Sequence, residues 1–135
     1  MSWDAGADRL LSQLAAVPLR VKHLYAAHWC QSEVSNGGLY QFFYNSTGLL
    51  APEAVDGFEA VGAVELSATT AEAMRYFGSP FPRDRHVRLV KLPEAQGRKR
   101  EGWDPFVTYD ARFYRWLDAE KDRWELTADS YATGT

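Results

Sequence analysis

The stretch EVSNGGLYQFFYNSTG, residues 33–48, decides how the rest of the chain folds. Its Asn36-Gly37-Gly38 triplet stops one helix, because asparagine or glycine takes the left-handed conformation that closes a helix end at little steric cost. Asn-Gly also marks two-residue hairpins, but the flanking residues repeat at helical spacing and do not alternate, so the hairpin reading fails. The residues after the glycines sort into three stripes of a short helix over about 38–46. Leu39, Phe42, Phe43 and Ser46 form an apolar stripe directed at the core. Tyr40 and Tyr44 form a second line, and Gln41 and Asn45 a third, each pair four residues apart.

Working toward the N-terminus, a helix is predicted over about 18–35, with Pro18 as its first residue. Val21, Leu24, Tyr25 and His28 are expected as its main apolar stripe, and Ala27, Cys30 and Val34 extend apolar character around it, so this is the central helix. Trp29 and Glu33 share the remaining side, one turn apart. Leu10, Leu11, Leu14 and Val17 mark an earlier helix. Downstream, APEAVDGFEAVG supplies a helix with Pro52 near its start, Glu53 in the first turn and Gly62 at its end. Leu66, Thr70, Ala73 and Phe77 mark another, closed by GSPFP. Residues 83–92 fit strand alternation and helix alike, and helix is the reading adopted. PEAQGRKREGWDP reads as a surface loop, the most mobile part of the chain. From Asp110 onward, Phe113, Trp116, Leu117, Trp124, Ala128 and Tyr131 keep helical spacing. The expected fold is all-α, a single domain over 1–135 built as an irregular bundle of about six or seven helices.

Composition supports that size. The chain has 135 residues, of which 46% are hydrophobic and 14% aromatic, enough apolar surface for one core. No apolar run approaches the roughly 20 residues that cross a bilayer, and MSWDAGADRL lacks the basic-then-apolar order of a secretory signal, so a cytoplasmic protein without membrane association is expected. The single cysteine, Cys30, is read as a small buried thiol. The net charge of −3 is unevenly distributed. Residues 83–100 hold seven cations (Arg83, Arg85, Arg88, Lys91, Arg98, Lys99 and Arg100) against Asp84 and Glu94, which leaves the remainder net acidic by eight. A solvated face is the reading adopted for that basic block, with phosphate contact as its alternative.

Chemistry is sparse. His23 and His28 stand five apart on a helix, roughly 140° around it, and no HExxH, CxxC or Glu-x-x-His pair occurs, so neither a metal nor another cofactor is expected. Cys30 with His28 lacks the geometry of a thiol–imidazole pair. Direct nucleic-acid binding through 83–100 is disfavoured because no aromatic ring lies between Phe81 and Trp103. What remains is the corner itself. Glu33, Asn36, Gly37, Gly38, Gln41 and Asn45 are its motif and binding candidates. In one reading the acid and amides satisfy loop backbone groups and brace the joint. In the other they line a polar pocket walled by Trp29, Tyr40 and Tyr44. No complete catalytic set is present, and an enzyme is not the favoured reading.

Residues 33–63, EVSNGGLYQFFYNSTGLLAPEAVDGFEAVGA, resemble the signature of a bacterial domain-of-unknown-function family typified by a DNA-mimic protein, with a pattern like E-x-x-NGG-x-x-QFF-x-NS-G followed by APE. The matching positions are Glu33, Asn36, Gly37, Gly38, Gln41, Phe42, Phe43, Asn45, Ser46 and Gly48. Leu39 stands where an aromatic is common, and DARFY, residues 110–114, looks like a later family element. The resemblance implies an all-helical domain, often a dimer, with no established enzymatic activity. DNA mimicry presents carboxylates where a DNA-binding protein expects phosphates. The partner-facing acids here are Glu53, Asp56 and Glu59 on one helix and Asp118, Glu120, Asp122 and Glu125 near the C-terminus; Arg98, Lys99 and Arg100 are the corresponding basic candidates. The leading expectation is a protein-binding module whose charged faces choose the partner, possessing DNA-mimic-like regulation of a DNA-binding protein as one form of that role. The alternative is a small-molecule site or hydrolase around Glu33, Gln41 and Asn45.

Overall fold

The computed structural model describes residues 5–93 and 102–133, with side chains described throughout these except at 5–8, 121–130 and 132–133. Among the described residues there are six α-helices and no strand: α1 (Ala5–Ala15), α2 (Leu19–Tyr44), α3 (Ala51–Ala60), α4 (Val64–Met74), α5 (Arg85–Lys91) and α6 (Val107–Thr133). Single 3-10 turns at Ser46–Leu50 and Arg75–Phe77 carry α2 into α3 and finish α4. The all-α fold class follows directly from the sequence pattern.

The helix break predicted at the double glycine is present inside α2. Gly37 has φ −153° and Gly38 has φ 80° and ψ 177°, so helical geometry is lost at both, but only Gly38 requires a conformation that side-chain-bearing residues avoid. The segments on either side are two helices meeting at a kink. Pro18 sits one position earlier than expected: its ψ of 148° makes it the cap residue, and Leu19 starts the helix.

The buried face of α2 differs from the expected one. Val21 is 49% exposed and Tyr25 38%, and His28 is also exposed, whereas Ala26, Ala27, Cys30 and Val34 are fully buried. The reason is a close helix crossing. A Cβ on Gly57 of α3 would lie 2.4 Å from the His23 carbonyl oxygen and 3.3 Å from Ala27 Cβ, so α3 can approach only where α2 presents small side chains. Cys30 is buried next to Thr70 of α4, and burial pushes its thiol pKa up, outweighing the hydrogen bond from Thr70 that lowers it.

The second half of α2 buries the stripe predicted for it, except Ser46, which is exposed in the following 3-10 turn. Leu39, Phe42 and Phe43 are fully buried. Phe43 is the hub of an aromatic cluster, its ring centroid 5.0 Å from Phe77, 5.1 Å from Phe106 and 5.9 Å from Phe81. Each such side chain stabilises the fold by roughly 1.5–3 kcal/mol through burial, with tilted and edge-to-face ring contacts adding to that. Within residues 83–92 the helix covers Arg85–Lys91, and Asp84 caps it by accepting the His86 amide at 2.8 Å. Most of the expected loop PEAQGRKREGWDP lies outside the described residues.

Candidate functional site

A broken helix leaves carbonyls without partners before the break and amides without partners after it, and α6 meets both needs. Asp110, in its first turn, accepts the Leu39 amide through Oδ1 at 2.8 Å. Tyr114, one turn further along, donates its hydroxyl to the Val34 carbonyl at 2.6 Å. The spacing of four residues in α6 therefore spans the kink in α2. Gly38 is required twice over, since besides its positive φ an added Cβ would lie 2.7 Å from Asp110 Oδ2. Burial pushes the Asp110 carboxyl up to about 6, with the Leu39 hydrogen bond opposing the rise and the neighbouring charge of Asp104 adding to it. Tyr114 is raised by burial and then by the charges of Asp110 and Asp104.

On the other side of the kink the polar stripe closes on Glu33. Its Oε2 accepts Gln41 Nε2 at 2.6 Å and Asn45 Nδ2 at 2.9 Å, tying the end of the first helical segment to both turns of the second. The three side chains come together as the sequence suggested, but they bond one another and not the loop backbone. Asn36 does not join them. It is exposed and lines a hollow of about 410 Å³ with His28, Gln31, Ser32 and Ser35. Gly37, Tyr40, Gln41, Tyr44, Asn45 and Trp103 line a groove of about 500 Å³ over the kink. Tyr40 is anchored there by a hydrogen bond to the Pro93 carbonyl at 2.7 Å, stacks near Tyr44 at 6.0 Å, and meets Trp103 edge-on at 5.0 Å.

The far end of α2 is closed by Arg88. This guanidinium is fully buried and donates to the carbonyls of Phe43 at 2.8 Å, Asn45 at 2.9 Å and Arg83 at 2.6 Å, with a longer contact to Pro82 at 3.3 Å. A cation at a helix C-terminus also suits the dipole. Gly48 makes room for it, since a Cβ there would lie 3.2 Å from Arg88 Nε and 2.5 Å from the Phe42 carbonyl.

Over its described half the basic block is only in part a solvated face: Arg88 is buried, Arg83 and Arg85 are partly exposed and Lys91 is exposed. Arg83 grips Glu53 with two hydrogen bonds of 2.7 and 2.8 Å and also donates to the Leu49 carbonyl, and the Glu53 bonds raise its pKa. Arg85 donates to the Tyr44 carbonyl and lies 4.9 Å over the Tyr44 ring. Lys91 donates to the Phe77 carbonyl at 2.9 Å. Each of these cations has a hydrogen-bond acceptor within the chain. Arg98, Lys99 and Arg100 lie outside the described residues.

Of the acidic candidates, Glu53 is occupied by Arg83, while Asp56, Glu59 and Asp118 are exposed and Glu120 is partly so. Asp122 and Glu125 fall on α6 where side chains are not described.

The model of the family described as DMP19-like protein matches residues 15–132. The chain belongs to the DMP19-like family. Neither the curated proteins nor the solved structures gave a match.

In this DMP19-like chain the resemblance seen over residues 33–63 has a physical basis. Glu33, Gln41 and Asn45 form one cluster, Gly38 and Gly48 are demanded by close approaches, and Phe42 and Phe43 fill the core. The DARFY element supplies the clamp: Asp110 and Tyr114 hold the kink from across the chain, and Phe113 between them is fully buried. Sequence reasoning missed Arg88 and the roles of Asp110 and Tyr114. A signal existed for Arg88, which stands one helical turn before buried Leu92 and so on the same face of α5.

Proposed function

We propose that this DMP19-like protein is a binding module that captures a basic, DNA-binding protein through its acidic surface. The observation that carries this reading is the exposed acidic pair on α3. The described cations of residues 83–93 are held in contacts within the chain, while Asp56 and Glu59 stand exposed, one turn apart on α3, and Asp118 is exposed on α6. Carboxylates facing solvent on α3 contribute a negative local field, which favours a partner whose own surface is built to neutralise phosphates. The family, typified by a DNA mimic, supports the same direction.

The test is displacement of labelled duplex DNA from purified DNA-binding proteins of the source organism, followed by fluorescence anisotropy. At about 50 mM salt the chain should displace DNA from at least one of them, and the effect should fall at least about tenfold by 300 mM. The Asp56→Lys/Glu59→Lys variant should lose most of it. Displacement insensitive to salt and to this variant, or none from any protein tested, contradicts the proposal.

A second reading, a small-molecule site or hydrolase around Glu33, Gln41 and Asn45, draws on the 500 Å³ groove above them.

A further inference from the structure

The two segments of α2 use their amides differently. Beyond the bend, Gln41 and Asn45 are committed to Glu33. Before it, Gln31 and Asn36 line the hollow of about 410 Å³ together with His28, Ser32 and Ser35. Among the described residues, none of the side chains of Gln31, Ser32, Ser35 and Asn36 has a hydrogen bond within the chain. A hydroxyl on a helix can bond back to the carbonyl one turn earlier, as Thr69 does to Glu65 at 2.7 Å, but neither serine does so. At the start of the row the His28 ring meets Trp29 edge-on at 5.8 Å. From His28 to Asn36 the row covers about 12 Å of helix length.

The chemistry of this lining is neutral and rich in hydrogen bonds. It includes no carboxylate, ammonium or guanidinium. Histidines aside, Glu33 is the only charged side chain between His23 and Tyr44, whereas 24% of the whole chain is charged, and its Oε2 is turned to Gln41 and Asn45. Solvated faces ordinarily carry charges, so this row departs from a common polar surface. An ion entering the hollow would shed water without gaining a countercharge from the lining, and an apolar molecule would leave the polar tips without partners. Hydroxyl, carboxamide and imidazole groups each supply donors and acceptors, and so does every hydroxyl of a sugar.

We propose that this hollow along α2 is a binding site for a neutral carbohydrate of one or two sugar rings. Its volume lies in the range of small-molecule sites. The two serine hydroxyls and the Gln31 and Asn36 amides would exchange hydrogen bonds with the sugar hydroxyls. The inference is independent of the acids of α3 and of any protein partner, so DNA displacement and sugar binding stand or fall separately.

The test is an NMR titration of the full chain with glucose, galactose, mannose, maltose and trehalose, each to about 50 mM, a range that reads millimolar affinity. At least one should shift the Gln31 and Asn36 side-chain amide signals saturably. Glucuronate and glucosamine, charged relatives of glucose, should bind at least about threefold more weakly than the best neutral sugar. Ser32→Ala/Ser35→Ala places the best helix former at two exposed helical positions, which preserves the fold, and should weaken the sugar by about five- to tenfold through the lost hydroxyls. Acetylated, amidated triglycine, a neutral peptide, should give no saturable shift. The proposal is overturned by the absence of saturable shifts at Gln31 and Asn36 with all five sugars, or by binding that the double variant leaves unchanged. Equal or tighter binding of a charged relative, or saturable binding of the peptide, also overturns it.

Discussion

Asp110 Oδ1 lies 2.8 Å from the amide nitrogen of Leu39, a bond that joins the first turn of α6 to the restart of α2 across 71 residues of sequence. With Tyr114 on the Val34 carbonyl, it converts a broken helix into a fixed corner. The groove, the Glu33 cluster and the aromatic hub at Phe43 all depend on that corner being held.

The Asp110 carboxyl gives the corner a pH dependence with a definite sign. Its folded-state pKa, about 6, is raised above the unfolded value near 3.8, so the folded state holds this proton more tightly. The group's contribution is therefore fully present below about pH 4 and is lost as pH rises through about 6. Asp110→Asn keeps an oxygen for the Leu39 amide and removes the charge. Urea melts at pH 4.5 and 7.5 should show the parent losing stability relative to this variant over that interval. An unchanged difference between the two proteins would contradict the assignment.

Asp110→Ala removes the acceptor itself and should cost about 1 kcal/mol, the usual loss for a helix cap. The check is the same melt at pH 7.5, where relief of a buried charge partly offsets the loss, and at pH 4.5, where it does not. The deficit should be larger at the lower pH.

Glycine substitutions separate strain from crowding. Gly38→Ala forces a side chain into a conformation near φ 80° and ψ 177° and drives its Cβ to 2.7 Å from Asp110, so a loss of about 3 kcal/mol is expected. Gly62 also has positive φ, 83°, but nothing lies within 4 Å of an added Cβ. Gly62→Ala should cost only about 1 kcal/mol. Denaturant midpoints of the two variants provide the comparison.

The sequence made the corner visible and hid what holds it. Asn-Gly-Gly breaks a helix by local backbone preference, and the stripes of Leu39, Phe42 and Phe43 and of Gln41 and Asn45 follow from the 3.6-residue period, so both were readable within a few turns. The clamp was not, because nothing local links Asp110 to Leu39. The buried face of α2 was misjudged at Val21, Tyr25 and His28 because larger side chains suggest burial, while the approach of Gly57 selects a small one at Ala27. Arg88 was hidden among other cations, although its spacing from Leu92 marked it. The mutual bonding of Glu33, Gln41 and Asn45 was half legible: their convergence followed from spacing, their choice of one another over the loop backbone did not.

Arg88 is expected to be the most sensitive charged position. Arg88→Leu would strand the buried carbonyl of Phe43 and take a donor from those of Arg83 and Asn45, the latter keeping the Gly48 amide, at about 1–3 kcal/mol for each group left without a donor, a large share of the stability of an ordinary domain. Arg88→Lys should rescue little, since one ammonium cannot reproduce the planar fork. Thermal melts of both variants, beside Arg85→Ala as a surface control expected within about 1 kcal/mol of the parent, check the ranking.

Hydrogen exchange at the Leu39 amide tests the clamped corner most directly. An amide at the start of a helix ordinarily exchanges fast, so slow exchange in the parent together with marked acceleration in Asp110→Ala is the predicted result. Exchange at the unprotected rate in the parent, or protection undiminished in the variant, would contradict it.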